Sequence, residues 1–358
     1  MKAFSAILIF CSYISFAQEV STLTSMSNTI DETSGLIYLD GKLITHNDSG
    51  NEAHLHEIDT IDGEVLRTVV ISNAVNTDWE DITFDANYIY IGDIGNNAGT
   101  RTDLKIYRIT ISDYFISDTV TADLINFSYA DQTNYSNQIY AHNFDVEALI
   151  NRGDSLYLFT KNWLDAKSNI YSLSKTPGAY TTNKIDQLET DGLITGADFN
   201  SISNKLVLSG YSFTNPFIVQ LSQFENDLFS SGTHNKVMLN VDESIQVEAI
   251  CTQGGNQYFL SSEAHSSGAS SLYKLDTQDL AIDSFQLQEP NLSPNPADDY
   301  LQIKGADIND IYIYNSSGTL VLHSNKHQIN TSNLKSGLHI VKLTSSNGKT
   351  SHQRLIIE

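Results

Sequence analysis

The chain has 358 residues, which is enough for two domains at a typical size of about 150 residues. Asp and Glu number 43 against 20 Lys and Arg, and the net charge of −23 excludes nucleic acid and anionic membranes as main partners, because both bind clustered positive charge. With 20 Gly, only 5 Pro and 40% hydrophobic residues the chain is neither collagen-like nor disordered, and its 18 Tyr and 15 Phe favour β-structure.

Residues 1–17 have the pattern of a secretory signal peptide. Lys2 supplies the positive charge, residues 6–14 form a short apolar core, and Ser15 and Ala17 occupy the small-residue positions before a predicted cleavage site. A buried N-terminal strand or helix is the alternative interpretation. The apolar run is too short to span a bilayer. The sequence therefore predicts export without a transmembrane segment.

Cleavage would remove Cys11 and leave Cys251 as the only cysteine. A single thiol cannot form an internal disulfide, and it excludes a zinc site built on cysteines. Cys251 follows Ala249 and Ile250 in an apolar run, so we interpret it as a small buried hydrophobic residue. We expect the core to stabilise the exported chain, with help from a bound metal.

Residues 18–290 contain five copies of one pattern: a short strand that begins at an anchor, a polar turn, a second apolar strand, a loop and a third strand. The anchors are Ser34, Glu80, Glu147, Ala197 and Glu248, at intervals of 46, 67, 50 and 51 residues. Units of about 40–50 residues are typical of β-propellers. We predict an all-β propeller of five blades, or of six if the longest interval hides a degenerate blade and residues 20–23 pair with the last sheet. An irregular β-sandwich is the alternative.

The repeat predicts which polar residues share a face. In an antiparallel meander the first strand starts at the edge where the second strand ends. The anchors and the loops between second and third strands should therefore gather around the axis. The polar residues expected there are His46, Asn47, Asp48, Glu80, Asp81, Asp93, Asn96, Asn97, Arg101, Asp145, Glu147, Lys161, Glu248, Glu263 and His265.

Three of the anchors are glutamates: Glu80, Glu147 and Glu248. Carboxylates close to one axis repel one another unless a cation compensates them. Hard oxygen ligands favour Ca²⁺ over a transition metal. We predict an axial Ca²⁺ on these three residues. The alternative is a solvated polar channel in which the glutamates accept hydrogen bonds from backbone amides.

Two loops, residues 47–51 and 92–97, are rich in Gly and Asn, which tolerate positive φ and let a ligand approach the backbone, although ordinary turns use the same residues. Lys161 and Arg101 are the few cations expected on this acidic face. The predicted ligand-binding residues are Asn47, Asp48, Asp93, Asn96, Arg101, Lys161 and Glu263. Trp79 and Trp163 are interpreted as packing residues.

The first repeat carries two short motifs, at residues 31–36 and 45–50, and a Glu-Ala pair recurs at Glu147 and Glu248. In these motifs the chain resembles propellers of the SdiA-regulated and phytase-like esterase kind. The resemblance implies Ca²⁺ and, in some relatives, hydrolysis of phosphate or carboxylic esters. No Gly-x-Ser-x-Gly, His-Glu-x-x-His, P-loop or Gly-x-Gly-x-x-Gly motif is present.

The composition changes near residue 291, at a Pro-rich junction. Residues 292–358 carry 6 Lys and Arg against 5 Asp and Glu, whereas the preceding region is strongly acidic, so a domain boundary is predicted here. Short strands are predicted at residues 300–303, 311–314, 320–322 and 338–343. This density of short strands is typical of a small β-sandwich.

Residues 293–296, 311–318, 331–343 and 355–358 carry motifs whose order resembles the type A C-terminal sorting domain of the type IX secretion system of Bacteroidetes. The resemblance covers residues 291–358. It implies the type IX secretion machinery as a partner, passage through the periplasm, and a final location in the medium or on the outer cell surface.

Three functions fit these observations. The first is a secreted or cell-surface propeller that binds an extracellular glycan, peptide or small ligand with an axial Ca²⁺. The second is a metal-dependent hydrolase of phosphate or carboxylic esters, phytase-like or lactonase-like, with Asp93 or His46 as the base. The third is a structural spacer. The lack of a catalytic motif favours the first.

Overall fold

The structure is a computed structural model that describes residues 20–212, 216–241, 245–264, 268–277, 291–304, 308–315, 319–345 and 350–357. The predicted signal peptide at residues 1–17 and His265 lie outside the described residues. The chain divides into two compact units, Met1–Thr277 and Gln278–Glu358.

The described part of the first unit consists mostly of short strands, as the aromatic and β-branched composition predicts. Its first strands are β1 (Val20–Ser25), β2 (Thr33–Leu39), β3 (Lys42–Asn47), β4 (His54–Ile58), β5 (Val65–Ile71), β6 (Trp79–Phe84), β7 (Tyr88–Asp93), β8 (Lys105–Thr110), β9 (Thr119–Val120) and β10 (Asp123–Tyr129). The strands that follow are β11 (Val146–Arg152), β12 (Ser155–Thr160), β13 (Ser168–Ser174), β14 (Gly178–Thr182), β15 (Lys184–Leu188), β16 (Leu193–Asn200), β17 (Lys205–Tyr211), β18 (Pro216–Ser222), β19 (Thr233–Met238), β20 (Val247–Gly254), β21 (Gln257–Ser262) and β22 (Ser271–Asp276).

Helical structure in the described residues is limited to short segments. They are α1 (Ile111–Ile116) and two 3₁₀ turns, Asn28–Ile30 and Phe229–Ser231. None of them has the length and apolar character that a membrane-spanning helix needs. The all-β class predicted from the sequence is therefore confirmed for the described chain.

The strands of the first unit form separate antiparallel meanders. The sheet orders are β2-β3-β4-β5, β6-β7-β8-β10, β11-β12-β13-β15, β16-β17-β18-β19 and β20-β21-β22-β1. Two further strands extend sheet edges in parallel, β9 beside β5 and β14 beside β10. The first strands of successive sheets contact one another, and β2 contacts both β6 and β20. The first strands thus surround a common axis, which is the β-propeller arrangement that the repeat predicts.

Apolar clusters fill the spaces between neighbouring sheets. Each of the following pairs belongs to one cluster and joins two successive sheets: Leu55 and Ile82, Tyr90 and Leu158, Phe159 and Leu208, Ile218 and Leu260, Phe259 and Leu43. Because both faces of each sheet are covered, inner strands such as β3, β7 and β12 are nearly continuously buried instead of alternating between buried and exposed residues. Cys251 lies in the last of these clusters, as expected for a small hydrophobic residue.

The N-terminal strand completes the last sheet. β1 pairs antiparallel with β22, with Val20 opposite Leu275, so the sequence interpretation that residues 20–23 pair with the last sheet is confirmed. The long interval between Glu80 and Glu147 holds α1, β9, β10 and the loop at residues 130–145. Among the described residues it contains no additional sheet.

The second unit has its own strands and core. Its strands are β23 (Asn291–Ser293), β24 (Tyr300–Lys304), β25 (Ile308–Asn315), β26 (Leu320–Ser324), β27 (Gln328–Asn330), β28 (Gly337–Ser345) and β29 (Thr350–Ile357). They form two sheets, β23-β24-β27 and β26-β25-β28-β29. Leu301 and Ile329 from the first sheet share one apolar cluster with Ile313, Val341 and Leu355 from the second. The predicted strands of this region are confirmed.

Candidate functional site

The anchors of the first strands meet at one end of the axis, where a pocket of about 310 Å³ opens. Its lining is mainly polar. The lining residues are Ser34, Asp48, Glu80, Asn97, Tyr140, Glu147, Lys161, Trp163, Tyr211, Gln246, Glu248 and Glu263. Of the predicted site residues, Asp48, Glu80, Glu147, Lys161, Glu248 and Glu263 are thus brought together. We call this cavity the axial pocket.

A larger cavity of about 690 Å³ lies at the opposite end of the first strands. Turns between first and second strands line it, among them residues 38–40, 84–86 and 151–153. It lacks the concentration of carboxylates and the lysine found in the axial pocket. The chemistry predicted from the repeat therefore belongs to the smaller cavity.

A β-bulge at the same place in each first strand explains why the anchors face the axis. The pairing of first and second strands shifts register at Ser34, Glu80, Glu147, Thr195 and Glu248. A bulge places an extra residue outside the ladder and re-aims its side chain. The predicted anchor Ala197 is wrong, because Ala197 pairs regularly with Leu208 and the bulged residue is Thr195.

Lys161 is the internal counter-charge of the axial pocket. Its Nζ lies 3.1 Å from Oε2 of Glu147, and 5.2 Å and 5.3 Å from the ring centroids of Trp163 and Tyr211. Burial alone lowers the pKa of Lys161, but Glu147 and Glu248 outweigh burial and raise the pKa well above its ordinary value. Lys161 is therefore charged, and its charge compensates the carboxylate of Glu147.

The other half of the pocket has no such counter-charge. One carboxylate oxygen from each of Asp48, Asp78 and Glu80 lies within 4.8 Å of the other two. Glu80 is 4% exposed, and its carboxylate has no hydrogen-bond partner among the described residues. Burial, reinforced by nearby acids, raises the pKa of Asp48 to about 6 and that of Asp78 to about 7. We call these residues the acidic triad.

Gly95 leaves space for two carboxyl groups of the acidic triad. A side chain at Gly95 would collide with the carboxyl groups of Glu80 and Asp78. The backbone of the 92–97 loop therefore approaches the two carboxylates closely, as the glycine content of this loop predicts.

Glu248 and Glu263 line the pocket together with Lys161 and with Asp48 and Glu80 of the acidic triad. Burial raises the pKa of Glu248, an effect that Lys161 opposes. Burial also raises the pKa of Glu263 to about 8, and the charges of Glu248 and Asp48 add to this shift. Near neutral pH this pocket therefore holds carboxyl groups that bind either a proton or a cation.

Asp93 and Arg101 hold the neighbouring loop and do not line the pocket. Asp93 is fully buried and accepts hydrogen bonds from Arg101 Nη2 at 2.8 Å and Lys105 Nζ at 3.2 Å. Arg101 also donates from Nη1 to the Gly95 carbonyl at 2.8 Å. Their predicted roles in catalysis and ligand binding find no geometric support, because these charges are satisfied by each other.

Asn96 and Asn47 are also structural in their contacts. Asn96 donates from Nδ2 to the Phe144 carbonyl at 3.0 Å and accepts from the Arg101 amide at 2.9 Å. Asn47 donates from Nδ2 to the Thr29 carbonyl at 2.8 Å. Neither lines the axial pocket, since both side chains join loops behind it.

His46 is packed between two sheets and does not line the pocket. Its ring is fully buried, lies edge-on to Trp79 at 5.5 Å between centroids, and donates from Nδ1 to the Asn47 carbonyl at 3.0 Å. Burial lowers the pKa of His46 to about 4. This placement argues against His46 as a base for a substrate in the axial pocket. Trp79 is the packing residue that the sequence predicts.

Asp81, which follows Glu80, joins sheets. Its carboxylate accepts hydrogen bonds from the backbone amides of Ile82 and Leu149, each at 2.8 Å, and of Ala197 at 3.2 Å. These amides belong to β6, β11 and β16. Glu80 therefore lines the pocket, whereas Asp81 links the first strands of three sheets.

Several residues of the site were not predicted from the sequence: Asp78 of the acidic triad, and the pocket-lining residues Tyr140, Trp163, Tyr211 and Gln246. Asp78 carried a usable signal, because it precedes Glu80 by two positions and side chains at i and i+2 share a side of an extended chain. Tyr140 carried none, since it comes from the irregular loop at residues 130–145. Trp163 was interpreted as packing, but it lines the pocket.

Residues 291–358 match the family of secretion system C-terminal sorting domains. This match indicates export to the medium or to the cell surface. No curated protein matches the chain.

Three solved structures cover most of the chain at low similarity. They are the PQQ-bound aldose sugar dehydrogenase of Streptomyces coelicolor (12% identity, 72% of this chain and 97% of that chain, TM-score 0.41), a glucose dehydrogenase (8%, 72% and 99%, 0.43), and the calcium-binding protein regucalcin of Agrobacterium tumefaciens (9%, 73% and 95%, 0.37). Similarities at this distance assign neither a function nor a ligand.

Proposed function

We propose that the protein is a five-bladed β-propeller that the type IX secretion system of a Bacteroidetes cell exports, and that it binds an extracellular ligand in its axial pocket together with Ca²⁺. Five meanders and an apolar cluster between each neighbouring pair support the blade number. The two sheets of residues 291–358 share one core, which supports a small sandwich for the sorting domain. Residues 1–17 are its signal peptide in this proposal.

The acidic triad is the observation that carries the cation. Ca²⁺ binds oxygen ligands at about 2.3–2.6 Å, so oxygens up to about 5 Å apart can share one ion. The triad oxygens lie within 4.8 Å of one another. Asp48, Asp78 and Glu80 would hold the ion. Glu80 keeps its predicted role in this assignment, whereas Glu147 is paired with Lys161 and Glu248 does not belong to this group of three carboxylates.

Titration of the full chain with Ca²⁺ after treatment with chelator tests this proposal. At about a hundredfold excess over the Kd we expect the propeller Tm to rise by roughly 5–10 °C, because the ion stabilises only the folded chain. Glu80→Gln and Asp78→Asn should abolish most of this rise. The exposed Glu64, outside the pocket, supplies the control variant Glu64→Gln. An unchanged Tm in the wild-type chain, or an undiminished rise in Glu80→Gln, would reject the cation site.

A metal-dependent hydrolase of phosphate or carboxylic esters is the second candidate. Glu263 favours it, since this carboxyl has its pKa raised to about 8 and lines the same pocket as the acidic triad. A protonated acid beside a bound cation is suited to proton transfer to a leaving group. Nitrophenyl phosphate, nitrophenyl acetate and a simple lactone, each with Ca²⁺, are the substrates to assay. Glu263→Gln should lower any turnover by about 10²–10⁴-fold, and turnover equal in both proteins would exclude this role.

A further inference from the structure

Tyr140 stands at the mouth of the axial pocket in an unusual conformation. Its φ is 55°, a left-handed backbone angle that is strained for a bulky residue and is often found at functional positions. Its side chain is 55% exposed, and its ring centroid lies 4.4 Å from that of Trp163. The proposed cation site does not account for an exposed aromatic ring at this place.

Hydrogen bonds fix the loop that carries Tyr140. The Tyr140 amide donates to the Asn97 carbonyl at 3.1 Å, and the Gln138 amide donates to the Ala98 carbonyl at 2.9 Å. Gln132 Nε2 donates to the Gly99 carbonyl at 2.9 Å. These hydrogen bonds already hold the loop in place, so the loop loses less conformational entropy when a ligand stacks on the Tyr140 ring.

The polar residues that line the pocket with Tyr140 limit the chemical class of ligand that the pocket can bind. Glu248 and Glu263 offer carboxylate oxygens, which accept hydrogen bonds, and Lys161 is already paired with Glu147. An anionic ligand is disfavoured by this charge. An organic cation would compete with Ca²⁺ for the acidic triad. A neutral ligand with several hydroxyl donors and a flat apolar face matches both the acceptors and the ring.

We propose that Tyr140, supported by Trp163, is a stacking platform for a sugar ring of an extracellular glycan, whose hydroxyl groups donate to Glu248 and Glu263. This inference rests on the proposed function and names the ligand of the axial pocket. The sugar ring stacks on the exposed Tyr140 face, because tyrosine combines an apolar ring with a polar edge. Ca²⁺ on the acidic triad removes the excess negative charge beneath it.

A panel of neutral hexasaccharides tests the platform: cellohexaose, laminarihexaose, maltohexaose, mannohexaose and chitohexaose, each added to the full chain in Ca²⁺. Calorimetry gives affinities, and tryptophan fluorescence reports on the platform because the chain has 2 Trp and Trp79 is fully buried. We expect at least one hexasaccharide to bind and to change the Trp163 emission. Tyr140→Ala should weaken that affinity at least tenfold, and Tyr140→Phe should retain it.

Tyr135→Ala is the matched control, since Tyr135 lies in the same loop and is 38% exposed but does not line the pocket. Ca²⁺ affinity measured on each variant separates the two proposals: it should stay unchanged in Tyr140→Ala and fall in Glu80→Gln. Absence of binding by every hexasaccharide, or equal affinity in Tyr140→Ala, overturns the sugar platform. Binding of a hexalysine peptide that displaces Ca²⁺ would instead assign the pocket to organic cations and overturn it as well.

Discussion

Single residues divide the axial pocket into two chemically different halves. Lys161 and Glu147 form a buried ion pair with side-chain exposures of 8% and 4%. Asp48, Asp78 and Glu80 have no basic partner within hydrogen-bond reach among the described residues. An added cation would therefore be most stabilising beside Asp48, Asp78 and Glu80, because Lys161 already compensates the charge of Glu147.

The ion pair of Lys161 leads to a prediction on stability. Lys161→Met leaves Glu147 buried without its counter-charge, and removal of one partner of such a pair typically costs about 3–5 kcal/mol. We expect a loss of this size in the free energy of unfolding near neutral pH, measured by urea denaturation. Adding Glu147→Gln to Lys161→Met should restore part of the loss, since the carboxylate that Lys161 compensates is then absent as well.

The exposed pair of Lys167 and Glu189 provides the control for this measurement. Its side chains are 32% and 74% exposed, and exposed pairs contribute little to stability because water screens their charges. Lys167→Met should therefore change stability little. Equal effects of Lys161→Met and Lys167→Met would contradict the assignment of Lys161 as the internal counter-charge.

Among the secondary-structure elements, the first strand of each sheet lies next to the axis and positions side chains of the site. In four of the five sheets its bulge turns one residue into the pocket, namely Ser34, Glu80, Glu147 or Glu248. Hydrogen bonds such as that from Ser34 Oγ to the Glu80 carbonyl, at 2.6 Å, and from Thr195 Oγ1 to the Val247 carbonyl, also at 2.6 Å, tie neighbouring first strands together. The geometry of the site is therefore a property of the ring of strands.

The pairing of β1 with β22 predicts how the N-terminal strand contributes. A chain that begins at Met26 lacks β1, so the backbone groups of β22 that pair with it are released to solvent. We expect a lower free energy of unfolding, by about 1 kcal/mol for each lost ladder hydrogen bond, and faster amide exchange in β22. A chain that begins at Gln18 is the reference. Unchanged exchange in β22 would show that β1 does not complete the sheet in solution.

The whole molecule carries a net charge of −23, and its axial pocket concentrates part of this acidity. Acids with raised pKa values hold protons in the folded chain at a pH where the same groups are ionised when unfolded. Stability and pH are therefore coupled in this fold, and binding of Ca²⁺ at the proposed site would add the ion to this coupling.

This coupling has a definite sign. With chelator present, burial raises the pKa values of Asp48, Asp78 and Glu263 to about 6, 7 and 8. Through these three groups the folded chain binds more protons than the unfolded chain between about pH 4 and pH 8, so their contribution to the free energy of unfolding should fall as the pH rises. The fall should be clearest above about pH 6.5, because below it the lowered pKa values of His46 and His56 act in the opposite direction. Urea unfolding at several pH values measures the slope.

Saturating Ca²⁺ should make this slope shallower, because the ion replaces the protons, and Asp78→Asn should do so without Ca²⁺. The affinity for Ca²⁺ itself should increase with pH over the same window. A stability that rises with pH in chelator, to the same extent in wild type and in Asp78→Asn, would contradict the raised pKa values.

Much of this protein could be predicted from its sequence, because the deciding signals are local. The anchors at Glu80, Glu147 and Glu248 recur at blade-like intervals, each starts an apolar strand, and antiparallel topology then brings all three to one end of the axis. The pairing of residues 20–23 with the last sheet and the motifs of residues 291–358 are readable in the same way.

Only the tertiary structure decided which acids are free and which are paired. Asp and His often act as catalytic bases, but Asp93 is paired with Arg101 and Lys105, and His46 is buried beside Trp79. The bulge of the fourth sheet lies at Thr195 and not at the predicted Ala197. Tyr140 lines the pocket although it belongs to an irregular loop. These outcomes depend on distances between residues far apart in the chain. Local patterns specify strands and turns, whereas pairing, burial and charge compensation arise only when the sheets pack around their axis.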